Sequence, residues 1–257
     1  MSGGLVRLLS PDAAFCLACG RRTDILARLP LCRTCARALV GARVRTEGLC
    51  PRCQAVLYPG RACPVCARDP DRLIERTFSP YRYRATVRAL ILRLKFGGDV
   101  RPAALLYPAM ADALDGFVPD AFLPVPLSRA RLRERGYNQA ELLARLVGDR
   151  LNVPVMAGLV RTRNTKRQSE LHTIRERQLN ISGAFTLLPG FEAEGRSFML
   201  VDDVRTSGAT ARACAKALRD GGARSVTLLT TAIAPGAGRY FTRPGPGRGR
   251  IFHRKGG

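Results

Sequence analysis

The sequence predicts an α/β fold, a mostly parallel sheet with flanking helices, preceded by a cysteine-rich, zinc-binding module. Two observations carry this reading. From Ala121 onward, short apolar strands alternate with amphipathic helices, as in βαβ units. Before residue 70, four Cys-x-x-Cys pairs take eight of the nine cysteines. The expected division is 1–70 for the module, 71–234 for the α/β domain, and 235–257 for a basic Gly-, Pro- and Arg-rich tail without fixed structure.

In chain order, Phe78 to Arg84 alternates apolar and polar residues as a strand does. Thr86 to Phe96 places Val87, Leu90, Ile91 and Leu94 on one helical face, and Pro102 opens a helix to about Leu114. Phe122 to Val125 reads as a strand stopped by Pro126, and Gln139 to Leu151 as an amphipathic helix. Val155 to Val160 reads as another strand. Arg161 to Asn180 lacks apolar periodicity and reads as a long functional loop. Strands are expected over Ala184–Leu188, Ser197–Val201 and Val226–Ile233, with a helix from Ala209 to Asp220 that stops at Gly221-Gly222.

Cys16/Cys19, Cys32/Cys35, Cys50/Cys53 and Cys63/Cys66 have the spacing of structural zinc ligands. Two residues between sulfurs allow a tight turn in which both face one ion, and two such pairs close a tetrahedral shell. One or two Zn²⁺ ions are expected, with sequential pairing (first pair with second, third with fourth) preferred and interleaved pairing still open. No ligand position is left for chemistry. Cys214, among small residues in a helix, reads as core.

The formal charge is +23, from 43 basic and 20 acidic residues, which favours polyanionic partners such as nucleic acid or phosphorylated metabolites. No apolar stretch is long enough for membrane insertion, and Met1 to Pro11 lacks a signal-peptide pattern, so a cytoplasmic protein is expected. With Trp absent and aromatics at 6%, no base-stacking platform is visible.

The most informative segment runs from Phe198 to Thr210: an apolar strand, two acids, a Thr/Ser/Gly turn, then a helix. A helix N-terminus stabilises an anion, and Gly208 lets the backbone approach a phosphate closely. Asp202 and Asp203, at a strand's carboxyl end, are placed to accept hydrogen bonds from vicinal ribose hydroxyls, directly or through Mg²⁺. An ordinary helix cap accounts for Thr206 or Ser207, but not for two adjacent carboxylates.

This segment resembles the phosphoribosyl pyrophosphate motif of type I phosphoribosyltransferases. Pro124-Val125-Pro126-Leu127, Arg135-Gly136-Tyr137-Asn138-Gln139-Ala140-Glu141-Leu142, Thr165 to Leu171, Glu176 to Asn180 and the cysteine array are similar to the competence protein F (ComF) family. Arg167 replaces a proline often found in that family. The resemblance implies a type I phosphoribosyltransferase fold with a zinc module, acting in DNA uptake and transformation. Phosphoribosyl pyrophosphate with Mg²⁺, single-stranded DNA and other competence proteins are the implied partners. Asp202 and Asp203 would be the catalytic carboxylates. Val204, Arg205, Thr206, Ser207, Gly208, Ala209 and Thr210 would hold the 5′-phosphate, and Val125, Pro126 and Leu127 the pyrophosphate. Arg163, Lys166, Gln168 and Arg177 would sit on a hood that closes over the ligand. The competing reading is an active phosphoribosyltransferase of nucleotide salvage or biosynthesis with an unidentified acceptor.

Overall fold

The computed structural model describes residues 15–23, 30–57, 59–68, 71–163 and 183–234. The expected tail over 235–257, and Lys166, Gln168 and Arg177 of the expected hood, lie outside these. Two short strands, β1 (Thr77–Phe78) and β2 (Tyr81–Arg82), are followed by helices α2 (Ala85–Phe96) and α3 (Arg101–Asp112). The cysteine-rich region before them contributes α1 (Arg33–Val40). Strand β3 (Ala121–Pro124) leads into α4 (Arg129–Arg135) and α5 (Gln139–Leu151). Then come β4 (Leu159–Arg161), β5 (Phe185–Leu187), β6 (Ser197–Arg205), α6 (Ala209–Asp220) and β7 (Ser225–Ile233).

The main sheet has the order β1-β7-β6-β3, with β2 also on β7, and every pairing in it is parallel. Period-two alternation sends its side chains to two buried faces. Phe122, Met199, Val201 and Leu229 pack in one core with Leu90, Ile91, Leu106, Met110, Leu143 and Val147 from α2, α3 and α5. Leu123, Phe198, Leu200, Val226 and Leu228 pack in the other with Cys214 and Leu218 of α6. Cys214 is fully buried there, as its small neighbours predict. The helices after β3 and after β6 therefore cover opposite faces. That divergence opens a crevice at the carboxyl ends of these neighbouring strands.

The expected strand over 78–84 is split, because Ser79 and Pro80 interrupt it; Pro80 has no N–H for a ladder. The strand expected over 155–160 divides as well. Val155 forms a single parallel bridge with Phe122, while β4 pairs antiparallel with β5 off the main sheet. β6 runs four residues past its expected end, because β7 continues to pair with it through Arg205↔Ile233. α4 was not expected: with no buried residue it has no apolar stripe to read. Ser128 caps its start and Gly136, at φ 77°, ends it. α5 holds its expected bounds, capped by Asn138 and closed by Asn152 in the left-handed region.

The first cysteine segment joins the sheet's own core, where Cys16, Leu17, Leu31, Leu39 and Ala42 pack with Phe78, Tyr81 and Val87. Backbone bonds fasten this segment and the second one to the stretch from Thr77 to Arg82. Val44 N–H donates to the Pro80 carbonyl at 2.8 Å, Arg82 N–H to Ala42 at 2.8 Å, and Thr77 N–H to Arg52 at 2.7 Å. Among the described residues no helix is long and apolar enough to cross a membrane.

Gly148 of α5 packs closely on the segment that follows the helix. A Cβ there would lie 2.7 Å from the Val153 carbonyl oxygen and 3.0 Å from Val155 Cγ2. Alanine would gain about 1 kcal/mol of helix propensity, but overpacking against backbone costs about 1–3 kcal/mol. Gly148→Ala is therefore expected to lower the urea midpoint with an unchanged m-value; a raised midpoint would show that the contact relaxes.

Candidate functional site

A cleft of about 390 Å³ lies at the carboxyl ends of β3 and β6, a volume suited to a small ligand. Most of the residues predicted for a ligand meet there. Val125, Pro126 and Leu127 line one wall, and Asp202, Asp203, Val204, Arg205, Thr206, Gly208, Ala209 and Thr210 line the other. Gly208 is the N-cap of α6 at φ 76°, a conformation that costs glycine least. Ser207 Oγ accepts from Ala209 N–H at 3.4 Å, shaping the turn. Of the expected hood, exposed Arg163 holds a backbone position whose carbonyl accepts from Arg161 Nε at 3.4 Å.

The two acids end the same strand but serve different faces of it. Asp203 is 3% exposed and lies among α2 and α5, where Lys95 Nζ is 2.6 Å from its Oδ2. Gln139 Nε2 donates to the same oxygen at 3.2 Å. Gln139 is held in turn by Arg135 Nη1, which donates to its Oε1 at 2.8 Å. Burial opposes the Asp203 charge, but the Lys95 ammonium and the surrounding hydrogen bonds outweigh it and hold this carboxyl below the usual range. Burial also opposes the Lys95 charge, and Asp203 outweighs it, raising the ammonium's pKa. Asp202 has no such ion pair. Burial and the Asp203 charge push it up to about 7, although the Lys95 ammonium and the Asp203 N–H, which donates to its Oδ1 at 2.8 Å, both favour its charge. One carboxylate is thus neutralised within the protein, and the other is left for hydroxyls or a cation to stabilise.

Sequence reasoning missed the cations at this end of the sheet. Lys95 of α2 and Arg131 and Arg135 of α4 join Arg161 in lining the cleft. Burial lowers the Arg161 pKa and Arg131 beside it lowers it further. The Arg135 guanidinium lies 5.1 Å from the centre of the Phe96 ring, and its buried Nε has no acceptor among the described residues. Phe96 itself is 62% exposed. One signal pointed to Lys95: the chain uses arginine for all but four of its basic residues, so a lysine among helix apolars is conspicuous. Tyr137 and Asn138 hold α5 in place. Tyr137 donates to the Leu94 carbonyl, and Asn138 Nδ2 to that of Val125 at 3.1 Å.

The eight paired cysteines form two quartets, Cys16/Cys19/Cys32/Cys35 and Cys50/Cys53/Cys63/Cys66, each with its sulfurs within 4.8 Å of one another. Pairing is sequential. Sulfur separations of 3.7 Å (Cys19–Cys32), 3.7 Å (Cys50–Cys66) and 3.5 Å (Cys53–Cys63) suit a tetrahedral Zn²⁺, whose bonds of about 2.3 Å place sulfurs about 3.8 Å apart. The same knuckle recurs in both. Cys16 N–H bonds to Arg21 and Gly20 N–H to Cys16, while Cys50 N–H bonds to Ala55 and Gln54 N–H to Cys50. Without metal, burial raises the Cys16 thiol but backbone N–H groups near Cys32, Cys19 and Ala18 bring it to about 6. Burial and the neighbouring sulfurs push Cys35 up to about 12, a conflict that a divalent ion removes. Both quartets could hold zinc.

Lys95→Met should leave Asp203 uncompensated and destabilise the fold by about 3 kcal/mol, with Lys95→Met/Asp203→Asn recovering most of the loss. The pair's contribution holds above the ordinary aspartate range and below the ordinary lysine range. It fades as pH falls through the lowered Asp203 pKa, or rises through the raised Lys95 pKa. Urea denaturation of the cycle across pH measures both, and additive single effects would mean that the pair is not coupled.

No family model matches the chain. Individual relatives do. Competence protein F of Haemophilus influenzae is 31% identical over 229 residues, covering 85% of this chain and 96% of the relative. Competence protein ComFC of Bacillus subtilis is 32% identical over 208 residues, 72% of this chain and 83% of the relative. DNA utilization protein YhgH of Escherichia coli K12 is 32% identical over 221 residues, 79% and 93%. Among solved structures, glutamine phosphoribosylpyrophosphate amidotransferase of B. subtilis is 18% identical over 57% of this chain and 27% of its own, with TM-score 0.34. Adenine phosphoribosyltransferase of Thermoanaerobacter pseudethanolicus is 14% identical over 59% and 88%, with TM-score 0.35. These structural likenesses are remote, and the parallel α/β architecture stands on its own strand order. The identity to curated relatives, sustained over most of both chains, places this protein in the competence protein F (ComF) family.

Proposed function

We propose that the chain binds phosphoribosyl pyrophosphate, with Mg²⁺, in the cleft between β3 and β6, and acts through that ligand in DNA uptake. The observation that carries this reading is the carboxyl end of β6, where two carboxylates are separated by four residues from a Gly208 turn that opens α6 inside a ligand-sized cleft. Main-chain amides and hydroxyls of 204–210 would take the 5′-phosphate. Asp202 would face the ribose hydroxyls, directly or through Mg²⁺, with Asp203 held by Lys95 and Gln139 on the other face of the strand. The turn at Val125–Leu127 would take the pyrophosphate, with Arg131, Arg135 and Arg161 meeting its charge, and the hood bearing Arg163, Lys166, Gln168 and Arg177 would cover it. Mg²⁺, when bound, supplies charge neutralisation at the phosphate oxygens.

In the same reading the protein works in the cytoplasm, and both quartets carry structural zinc in a module over 1–70. That module precedes a ligand domain over 71–234 and a basic tail over 235–257. Supporting the link to DNA, relatives carry names of competence and DNA utilization, and the chain bears a net +23. Beside the cleft, α4 presents Arg129, Leu132 and Arg133 on an exposed surface, a surface fit for phosphates of single-stranded DNA.

Asp202→Asn preserves shape and leaves Lys95–Asp203 intact. It is expected to abolish calorimetric binding of phosphoribosyl pyrophosphate with Mg²⁺ while the melting temperature stays within a few degrees; undiminished affinity would end the assignment. Single-stranded DNA binding is expected to weaken linearly with the logarithm of salt concentration. Arg129→Ala/Arg133→Ala should reduce that slope by about 1.4. A salt-independent affinity would remove the electrostatic argument.

A further inference from the structure

Arg205 belongs to the ligand loop by position, yet its guanidinium reaches the second cysteine quartet. Its side chain is buried, with the residue 8% exposed, and Nη2 donates to the Cys53 carbonyl at 2.6 Å. Its Nε has no acceptor among the described residues, and neither has buried Nη2 of Arg212, in the first turn of α6. Both arginines line one narrow space with Cys53, Cys66 and Gly208. Buried guanidinium N–H groups require acceptors, and a buried cation requires a counter-charge. A divalent ion held by four thiolates is left dianionic, so a metallated quartet supplies both at this place. The first quartet is fastened elsewhere: Arg93 Nη1 donates to the Leu17 carbonyl at 3.1 Å, and Arg93 is itself paired with Asp99 at 3.1 Å.

We propose that the second quartet, when it holds zinc, is the counter-ion of Arg205 and Arg212, so that metal occupancy sets the position of the ligand loop. Arg205 is then a positioning residue that couples a metal centre to the cleft. The link runs through few atoms. Cys53 and Arg205 share a hydrogen bond, Arg205 stands three residues before the Gly208 turn, and Arg212 N–H donates to the Gly208 carbonyl at 2.9 Å. The inference rests on the cleft being the phosphoribosyl pyrophosphate site, and the test separates the two.

Because coupling between two binding events is reciprocal, it can be read from either side. The full-length protein loaded with Zn²⁺ is titrated with a competing chelator, with and without phosphoribosyl pyrophosphate and Mg²⁺. Cys63→Ser identifies the weaker-held second ion. The ligand is expected to strengthen zinc binding at the second centre by about fivefold or more, and at the first not at all. Arg205→Met should weaken the second zinc and the ligand together, and Arg205→Lys should restore part of both. Arg212→Met supplies the same comparison if Arg205→Met does not fold. Ligand binding by the wild type with both zinc affinities unchanged overturns the coupling and leaves the cleft assignment standing. If the wild type binds no ligand, the cleft assignment falls; the counter-ion pairing is then decided by whether Arg205→Met loosens the second zinc.

Discussion

β6 is covered on both faces, and a strand so placed can carry charge only where its cover ends. Phe198 to Val201 are buried between the helices of one face and α6 on the other. Asp202, paired to Thr230 of β7, and Asp203 follow at once. Alternation sends them to opposite sides, and each side answers differently. Towards α2 and α5, Lys95 and Gln139 satisfy Asp203; towards α6, burial and the Asp203 charge raise the Asp202 carboxyl to about 7. The two acids thus differ in kind, since one is paired within the scaffold and the other lies in the cleft without an ion pair of its own.

Much of this arrangement was legible in the sequence because it is local. Asn138 before α5, Gly208 before α6 and Gly221 after it are capping signals, and those two helices start and stop where the residues indicate. The cysteine knuckles were legible for the same reason, as each metal-facing turn is encoded within a few residues. Pairing between turns was not, since spacing alone admits more than one closure.

What escaped the sequence is tertiary. Lys95 and Asp203 lie on separate elements far apart in the chain, and only the packing of α2 beside β6 brings them together. α4 has no apolar face, so periodicity could not announce it, and its Arg131 and Arg135 entered the cleft unforeseen. The extension of β6 through Arg205 depends on β7 remaining long enough to pair with it. Arg205 was read as a ligand contact from its place in a motif, while its side chain also reaches a cysteine carbonyl from another part of the chain.

The backbone bonds from residues 42–44 and Arg52 to the interrupted strand pair β1 and β2 have a further consequence. A parallel sheet ends in a row of amides and carbonyls that can recruit another chain, and proteins need some device to blunt such a margin. Here the cysteine-rich region supplies it by lying along the outer side of the sheet, and Pro80 breaks the row at its middle. Its cysteine quartets thus bear on solubility as well as on shape. Were this region to come away, it would bare that border and take Leu17, Leu31 and Leu39 out of the shared core.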